Sequence, residues 1–290
     1  MMKDFPIPVV AYGPGSQTED EELQFMPLPS AMTMFALPSL NVEADPAVVA
    51  AACQIVETLR TAMQATPLSS KQIPMIELSN KDLDVVRLLN QTMGEGEVSI
   101  AVRGSGQFRI QETVFASVWR VNEYAADARL IGDTLMACAI PPIVTRWAHE
   151  DVVSDFQLPE KSPGIMNALS VLSEIVDQSK KYKVGDETHV VNLTLLPMSP
   201  EDMDCVTSIL VVGTVTILSR GYGNCRISST KLANVWWVQY FNSMDTLILN
   251  TIEVGDVPEV AQASQEDYED SIERLGEWLM VMQEPEKMES

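Results

Sequence analysis

The sequence predicts an α+β fold, built as a tandem duplication of a helix-strand-helix-antiparallel meander unit, with an extended N-terminal arm and a C-terminal helix. Three observations predict it: the chain matches itself at a fixed offset, both copies show the same order of helical and β patterns, and acidic residues collect at the two ends. The predicted organisation is an acidic, proline-rich arm over residues 1–45, repeats over 46–150 and 160–260, and an acidic C-terminal helix and tail over 261–290.

The two copies align at an offset of 117 residues, which is the difference between Trp119 and Trp236. At this offset roughly seventeen of about 46 consecutive positions are identical, which unrelated segments do not reach. The identical positions include a repeated signature, to which we assign a structural role. Its members are Arg103, Gly104, Gly106, Arg109 and Trp119 in the first copy, and Arg220, Gly221, Gly223, Arg226 and Trp236 in the second.

Each repeat begins with an amphipathic helix. In the first copy Asp45 and Pro46 supply an N-cap and a proline at the first helical position, and in the second copy the helix follows Ser162 and Pro163. The later elements come in the same order in both copies. In the first copy they are a strand over 73–78, a short helix over 81–93 capped by Asn80, a strand over 98–102, a long β run over 108–122 and a last strand over 128–140. In the second copy they are a strand over 190–196, a short helix over 200–210 capped by Ser199, a strand over 215–218, a long β run over 225–241 and a last strand over 245–254.

A final helix is predicted over residues 264–282. Ser264 and Asp267 have the spacing of a capping box, with Asp in place of Glu. The apolar residues that follow form one stripe opposite an acidic face, so we expect the helix to pack on the body with its acidic face in water. The stripe consists of Tyr268, Ile272, Leu275, Leu279 and Met282.

The charge of the chain excludes two classes of partner. The chain has 19 Lys and Arg against 41 Asp and Glu, a net charge of −22. Because such a field repels phosphate backbones and anionic lipid headgroups, we expect neither nucleic acid nor a membrane surface as a partner. No apolar run reaches the roughly 18 residues of a membrane-spanning helix, and the N-terminus lacks the pattern of a signal peptide, so we expect a cytoplasmic protein without membrane insertion.

The residue types that most often carry catalysis or bind metals are scarce. The chain has two histidines, and its four cysteines are isolated, so neither a metal site nor a cofactor is predicted. No Ser-His-Asp set, nucleophile elbow or dinucleotide fingerprint occurs, and we therefore predict a protein that is not an enzyme. The cysteines are Cys53, Cys138, Cys205 and Cys225.

The arginines of the repeated signature have two interpretations. The Arg-Gly-x-Gly segments lie between predicted strands and lack a following helix or lysine, which favours hairpin turns over phosphate-binding loops. The four arginines at 103, 109, 220 and 226 either bind an anionic group or pair with acids inside each unit. The surplus of carboxylates in the chain favours the pairing.

Two segments are candidates for partner binding. The arm interleaves prolines with aromatic residues and methionines, which predicts an extended segment that packs on its own body or docks on a partner. The strand of the second repeat carries aromatic residues on both faces, so either helices and the sister repeat cover both faces, or one face is an open binding surface. The candidate residues are Tyr12, Gly13, Pro14, Phe25, Met26, Trp237, Tyr240 and Phe241.

Five segments carry a family resemblance: 11–17 (AYGPGSQ), 25–29 (FMPLP), 94–98 (GEGEV), 112–121 (ETVFASVWRV) and, most specifically, 232–242 (LANVWWVQYFN). They resemble the HupH/HyaF/HoxQ family of hydrogenase expression and formation proteins over nearly the whole chain, and the second repeat is of the HupH C-terminal type. The resemblance implies an accessory protein for maturation of uptake NiFe-hydrogenases. Its implied partners are the iron–sulfur small-subunit precursor before export and a thioredoxin-like protein of the HyaE/HoxO type.

The resemblance implies no catalytic residues. The second copy departs from the first at one segment, because residues 94–97 (GEGE) correspond to residues 211–214 (VVGT). If this loop contacts the hydrogenase precursor, which would be the client of this protein, the two copies do not contact it in the same way.

The charge and the arm favour a client-specific chaperone. A precursor with a twin-arginine signal carries positive charge, which acidic ends attract, and an arm rich in aromatic residues and methionine masks apolar surface on an immature subunit. The alternative is a metal or iron–sulfur cluster delivery factor. That function requires metal ligands, which the isolated cysteines supply only if a homodimer brings them together.

Overall fold

The computed structural model describes residues 44–104, 106–150, 152–153, 157–158, 160, 163–221 and 223–283, and in these residues the chain forms six α-helices and ten strands. The helices are α1 (Pro46–Ala65), α2 (Leu83–Met93), α3 (Pro142–Ala148), α4 (Ala168–Lys181), α5 (Pro200–Ile209) and α6 (Gln265–Gln283), with a short 3-10 helix at Glu259–Ala261. The strands are β1 (Met75–Glu77), β2 (Val98–Arg103), β3 (Gln107–Glu112), β4 (Val118–Tyr124), β5 (Leu130–Ala137), β6 (His189–Asn192), β7 (Val212–Ser219), β8 (Asn224–Thr230), β9 (Val235–Phe241) and β10 (Leu247–Val254).

All ten strands belong to one antiparallel sheet, in the order β1-β5-β4-β3-β2-β7-β8-β9-β10-β6. The mixed α and β architecture with antiparallel meanders is therefore confirmed. The first-half strands lie on one side of the sheet and the second-half strands on the other, and they meet at β2 and β7. At this junction Ile100 lies opposite Ile217, its equivalent at the offset of 117 residues. A strand pair in which a residue faces its own equivalent has the geometry of a local two-fold axis.

The predicted long β run of each repeat is wrong, because a tight turn divides it into two strands. The turn between β3 and β4 contains Ser117 at a φ of 71°, and the turn between β8 and β9 contains Asn234 at a φ of 57°. Thr113 and Thr230 hold these turns in the same way, since each hydroxyl donates to the carbonyl two residues later and accepts from the N–H of that same residue. Strong β patterns on either side of the turn conceal the break in the sequence.

The observed first residue of a helix agrees with the prediction from the sequence only where the capping side chain lies next to that helix in the sequence. Asp45 caps α1 as predicted, and its side chain accepts a hydrogen bond from the backbone of the first turn. The cap of α2 is Asp82 rather than Asn80, which shortens that helix by two residues at its start. The helix predicted directly after Pro163 begins only at Ala168.

Asp202 sets the start of α4 from a distant position in the sequence. It is fully buried on α5, and its Oδ1 accepts the N–H groups of Met166, Asn167 and Ala168 at 2.8–3.0 Å. Its Oδ2 accepts the N–H of Ser199, which completes the predicted cap of α5 as a capping box. Burial alone raises the pKa of Asp202, but these four N–H donors hold that pKa well below its usual range. One carboxylate therefore fixes the first turns of two helices.

The C-terminal helix α6 matches its prediction closely. The Ser264 hydroxyl accepts from the N–H of Asp267, and the Asp267 carboxylate accepts from the N–H of Ser264, as in a capping box. Tyr268 and Leu275 of its apolar stripe are buried against α1 and the sheet. The helix α3 and the 3-10 helix were not predicted, because segments this short carry too few residues to show a period.

Helices cover the two faces of the sheet in different places. On one face, α1, α2 and α6 form a first helical layer over β4 and β5, where they bury Leu135. On the same face, α4 and α5 form a second helical layer over β9 and β10, where they bury Trp237. On the opposite face, α3 and the 3-10 helix cover the middle of the sheet, where Trp119 and Trp236 are buried as equivalent core residues. The middle of the first face lies between the two helical layers.

The N-terminal arm, and with it the candidates Tyr12, Gly13, Pro14, Phe25 and Met26, lies outside the described residues. Among the helices that are described, none combines the length and the apolar character that crossing a bilayer requires.

Candidate functional site

The open middle of the sheet forms a groove between the two helical layers, which we call the central groove. Its cavity volume is about 780 Å³, and its floor runs across β4, β3, β2, β7, β8 and β9. The floor carries mainly polar side chains, with Val212 and Leu218 as exposed apolar ones. The polar residues are Ser99, Arg103, Arg109, Gln111, Asn122, Thr216, Arg226, Ser228 and Gln239.

The register of the sheet explains why these side chains share one face. Arg109 on β3 lies opposite Asn122 on β4, and Arg226 on β8 lies opposite Gln239 on β9. Residues that lie directly opposite each other project to the same side of a sheet. Each of these residues is 117 positions from its counterpart, so the groove presents the same two arginine positions on either side of the β2–β7 junction.

An aromatic ring supports each of these two arginines. The Arg109 guanidinium carbon lies 5.3 Å from the centre of the Tyr124 ring, and that of Arg226 lies 5.6 Å from the centre of the Phe241 ring. Tyr124 and Phe241 are also equivalent positions. A guanidinium held over a ring keeps its planar N–H groups available to an anionic partner.

The predicted pairing of the signature arginines with acids is not found in the described part of the chain. Arg103, Arg109, Arg220 and Arg226 take part in none of the ion pairs formed there. Arg109 and Arg226 are exposed and rest on aromatic rings instead. The second interpretation of these residues, contact with an anionic group, fits this geometry better.

The candidate aromatic residues of the second half lie in three different environments. Trp237 is only 7% exposed and donates its ring N–H to Asn250 Oδ1 at 2.5 Å, so its face of β9 is covered by the second helical layer. Tyr240 is half-buried on the opposite face, and burial, followed by the neighbouring Cys225, raises its pKa to about 12. Phe241 is half-buried and lines a separate cavity of about 440 Å³, which shares Leu218 and Arg226 with the central groove. Of the three residues, Phe241 is the one whose cavity adjoins the groove.

The repeated glycines permit close packing at the hairpins. A Cβ added to Gly104 or Gly106 would lie 2.8 Å from the ring of Trp147, so these glycines let α3 pack onto the β2–β3 hairpin. A Cβ at Gly221 would overlap the Glu97 carboxylate. Gly104, Gly106 and Gly221 therefore permit close contacts within the protein, whereas Gly223 has no close neighbour among the described residues and has a positive φ of 100°.

The cysteines do not form a metal site among the described residues. All four are buried and free, and burial raises the pKa of Cys138 to about 12 and that of Cys225 to about 11. These two side chains are thiols at neutral pH, whereas metal binding requires thiolates. No group of three or more His, Cys, Asp or Glu in the described part of the chain could hold a metal ion.

One carboxyl group has a pKa close to neutrality, but it lies away from the groove. Glu112 is 7% exposed on the opposite sheet face, and burial raises its pKa to about 7 although the N–H groups of Ser117 and Val98 donate to it. Its equivalent in the second half is Ser229, whose hydroxyl accepts from the N–H of Val215 at 3.1 Å. Both side chains support the strand next to the turn, which indicates a structural position.

A larger cavity of about 1100 Å³ runs along α1 and the end of α6. Its walls consist mainly of small or apolar side chains. Among the described residues that line it, only Glu57 has a carboxylate side chain. This cavity offers apolar contact but no set of converging polar groups. The central groove, with its repeated arginines, is therefore the candidate functional site.

Sequence reasoning missed the pairing of arginine with ring, although a signal was present. In each copy an aromatic residue follows the arginine at the same separation, at positions 109 and 124 and at positions 226 and 241. Both members of each pair point to the groove face because they lie diagonally across neighbouring antiparallel strands.

Comparison with known proteins gives one consistent result. The model of the HupH hydrogenase expression protein, C-terminal conserved region, matches this chain twice, at residues 46–158 and 165–282. The chain is 46% identical to the hydrogenase expression/formation protein HoxQ of Cupriavidus necator, over 96% of this chain and 98% of that protein. It is 42% identical to HoxQ of Azotobacter vinelandii and 41% identical to HupH of Rhodobacter capsulatus, in each case over 96% of this chain and 98% of the relative.

Proposed function

This chain belongs to the HupH family of hydrogenase expression/formation proteins, and we propose that it serves hydrogenase maturation as a client-specific chaperone of the iron–sulfur small subunit before export. The names of its relatives support a role in hydrogenase formation. The finer assignment, that the client is the small-subunit precursor and that a thioredoxin-like protein assists, is part of this proposal.

The observation that carries the proposal is the central groove. It is open, lies between the two helical layers and presents polar side chains with two ring-supported arginines. These groups suit the binding of a polypeptide segment, because main-chain and charged groups of the segment find donors and acceptors along the floor. The groove holds no nucleophile with a polarising partner among the described residues, which favours binding over catalysis.

The repeat is part of the same proposal. We infer that the two halves descend from duplication of one unit, which the two matches of the family model and the opposed Ile100 and Ile217 support. Such a duplication places equivalent binding groups on both sides of one axis. A client that is not itself two-fold symmetric then meets similar groups at both ends of the groove.

The acidic ends extend this proposal to recognition of the precursor. Most of the net charge of −22 lies in the two terminal segments, which would attract a positively charged export signal and raise the association rate. We propose that the arm contributes partner contacts through Tyr12, Gly13, Pro14, Phe25 and Met26. On the body we propose Phe241 as a further contact, because its cavity shares Leu218 and Arg226 with the groove.

An anaerobic pull-down tests the proposal. The tagged protein is incubated with the small-subunit precursor and the thioredoxin-like partner, at low and at moderate salt, beside a variant that lacks residues 1–40. We expect capture of the precursor that weakens with salt and without the arm, because screening removes the attraction of the acidic ends. Thermal melting of the truncated variant serves as the control for an intact body.

Two results would contradict the chaperone. The first is absence of precursor capture under every condition with a folded protein. The second is iron or nickel in stoichiometric amount in the anaerobically purified protein, which would instead support the delivery of a metal or an iron–sulfur cluster.

A further inference from the structure

We propose that Arg109 and Arg226 form a double carboxylate clamp, which holds an extended acidic segment of the client across the central groove. The inference deepens the proposed function and rests on it only for the source of the segment. Its physical content is that two guanidinium groups, each supported by a ring, receive two carboxylates of one polypeptide.

The groove is lined mainly by positive charge, although the protein as a whole has a net charge of −22. Asp and Glu outnumber Lys and Arg by 41 to 19 in the chain, yet the described residues that line the groove include Arg103, Arg109 and Arg226 with a single carboxylate, that of Glu95. Glu95 lies in the loop before β2, and its counterpart in the second half is Val212. An anionic ligand is therefore attracted to the groove floor and repelled by most of the remaining surface.

The ring contacts fix both guanidinium groups before a ligand arrives. Tyr124 lies on the same face as Asn122 and Arg109, two residues further along β4, and the second half repeats this arrangement with Phe241. Because each arginine is held over a ring, less side-chain freedom is lost when its N–H groups bind a carboxylate. A planar guanidinium can donate two parallel hydrogen bonds to a carboxylate, whereas an ammonium group cannot.

The distance between the two arginines determines the kind of ligand. Arg109 and Arg226 are separated by three strand spacings and by two residues along the strands, so their Cα atoms are about 16 Å apart. One small dicarboxylic acid cannot reach both groups. An extended polypeptide covers this distance with about five residues, and the hydroxyl groups of Ser99 and Thr216 lie between the arginines to meet its main chain.

Fluorescence anisotropy with labelled peptides tests the clamp. The probe is a ten-residue Gly/Ser peptide with glutamates at positions 3 and 7, because residues four apart in an extended chain project to the same side, and the reference peptide carries glutamines at the same positions. We expect the glutamate peptide to bind the full chain at low salt, and Arg109→Ala or Arg226→Ala to weaken binding about tenfold each, as expected for loss of a charge-assisted hydrogen-bonded pair. Arg109→Lys should also weaken binding, because lysine keeps the charge but not the planar group.

A matched control separates the clamp from general charge. Arg87 on α2 is 72% exposed and lies outside the groove, so Arg87→Ala removes one positive charge without touching the site. The clamp is wrong if Arg87→Ala weakens binding as much as Arg109→Ala, or if the glutamine peptide binds as tightly as the glutamate peptide. Thermal melting of each variant establishes that the fold is retained.

The client assay then distinguishes failure of the clamp from failure of the proposed function. If the wild-type protein captures the precursor and the Arg109→Ala/Arg226→Ala variant captures it equally well, the chaperone stands and the clamp is overturned. If the peptide result holds while no precursor is captured, the groove binds acidic segments and the assigned client is wrong.

Discussion

The two halves of the sheet differ most where the helical layers cover it. In the first half Arg120 forms a buried ion pair with Asp133 and also donates to Asn90 of α2. In the second half the equivalent positions hold Trp237 and Asn250, which form a neutral hydrogen bond. Both members of this pair differ between the halves, whereas the groove has arginine at the same position in both halves, as Arg109 and Arg226. The packing under a helical layer therefore uses two different solutions, but the arginine position of the groove is the same in both halves.

We expect the largest loss of stability from breaking the ion pair between Arg120 and Asp133. The Arg120 side chain is 12% exposed and that of Asp133 is 5% exposed, so Arg120→Ala leaves a buried carboxylate without its partner. We expect a loss of about 3–5 kcal/mol in the free energy of unfolding, measured by urea denaturation. The double variant Arg120→Met/Asp133→Leu should recover most of this loss, because it removes both charges. A single variant that costs less than about 1 kcal/mol would show that the first half does not depend on this pair.

The two halves also differ in how their stability depends on pH, because Glu112 of the first half can ionise and its equivalent, Ser229, cannot. Glu112 has a pKa of about 7 in the folded protein, raised from an ordinary value of 4.5, and its equivalent Ser229 does not ionise near neutral pH. The folded state therefore holds this proton more tightly than the unfolded state, so its stabilising contribution is complete below about pH 4.5 and is lost as the pH rises through about 7. The loss amounts to about 3 kcal/mol at most.

Urea denaturation at pH 5 and pH 8 measures this contribution. We expect Glu112→Gln to abolish that part of the pH dependence, and to leave the variant more stable than the wild-type protein at pH 8. Ser229→Ala is the matched control, because it alters the same position of the second half without removing an ionisable group. Equal pH dependence in the wild-type protein and the glutamine variant would contradict the raised pKa.

The neutral pair of the second half predicts a smaller effect than the ion pair. Trp237→Phe keeps an aromatic ring but removes the N–H that donates to Asn250, so a buried amide oxygen loses its partner. We expect a loss of about 1–2 kcal/mol in the free energy of unfolding, with unchanged binding of the acidic peptide. The double variant Trp237→Phe/Asn250→Leu should recover part of the loss. If Trp237→Phe weakens binding but leaves the melting temperature unchanged, Trp237 contacts a partner and not the core.

Local signals in the sequence predicted much of this architecture. The caps of α1, α5 and α6 were predictable because Asp45, Ser199 and Ser264 act within one helical turn of their own position. The order of elements followed from periodicity and from the repeat. The family followed from short segments such as residues 232–242, which lie on β9 and its flanking turns.

Features that depend on distant residues were not predictable. The start of α4 depends on Asp202, which lies more than thirty residues later in the sequence. The groove depends on which part of the sheet the helices leave open, and periodicity gives only the face of a strand on which a residue lies. The four signature arginines were expected to pair with acids because carboxylates are abundant, but the local strand geometry places a ring beside Arg109 and another beside Arg226.

The smallest expected effect concerns a pair of equivalent turns. Ala128 between β4 and β5 has a φ of 63°, and its equivalent Asp245 between β9 and β10 has a φ of 56°. Both residues are exposed, and Asp tolerates this left-handed backbone better than Ala. We expect Ala128→Asn to stabilise the protein by about 0.5–1 kcal/mol and Asp245→Ala to destabilise it by a similar amount, both measured by urea denaturation. Opposite signs would identify backbone preference as the cause, since a lost side-chain contact could explain the lower stability of Asp245→Ala but not a gain in Ala128→Asn.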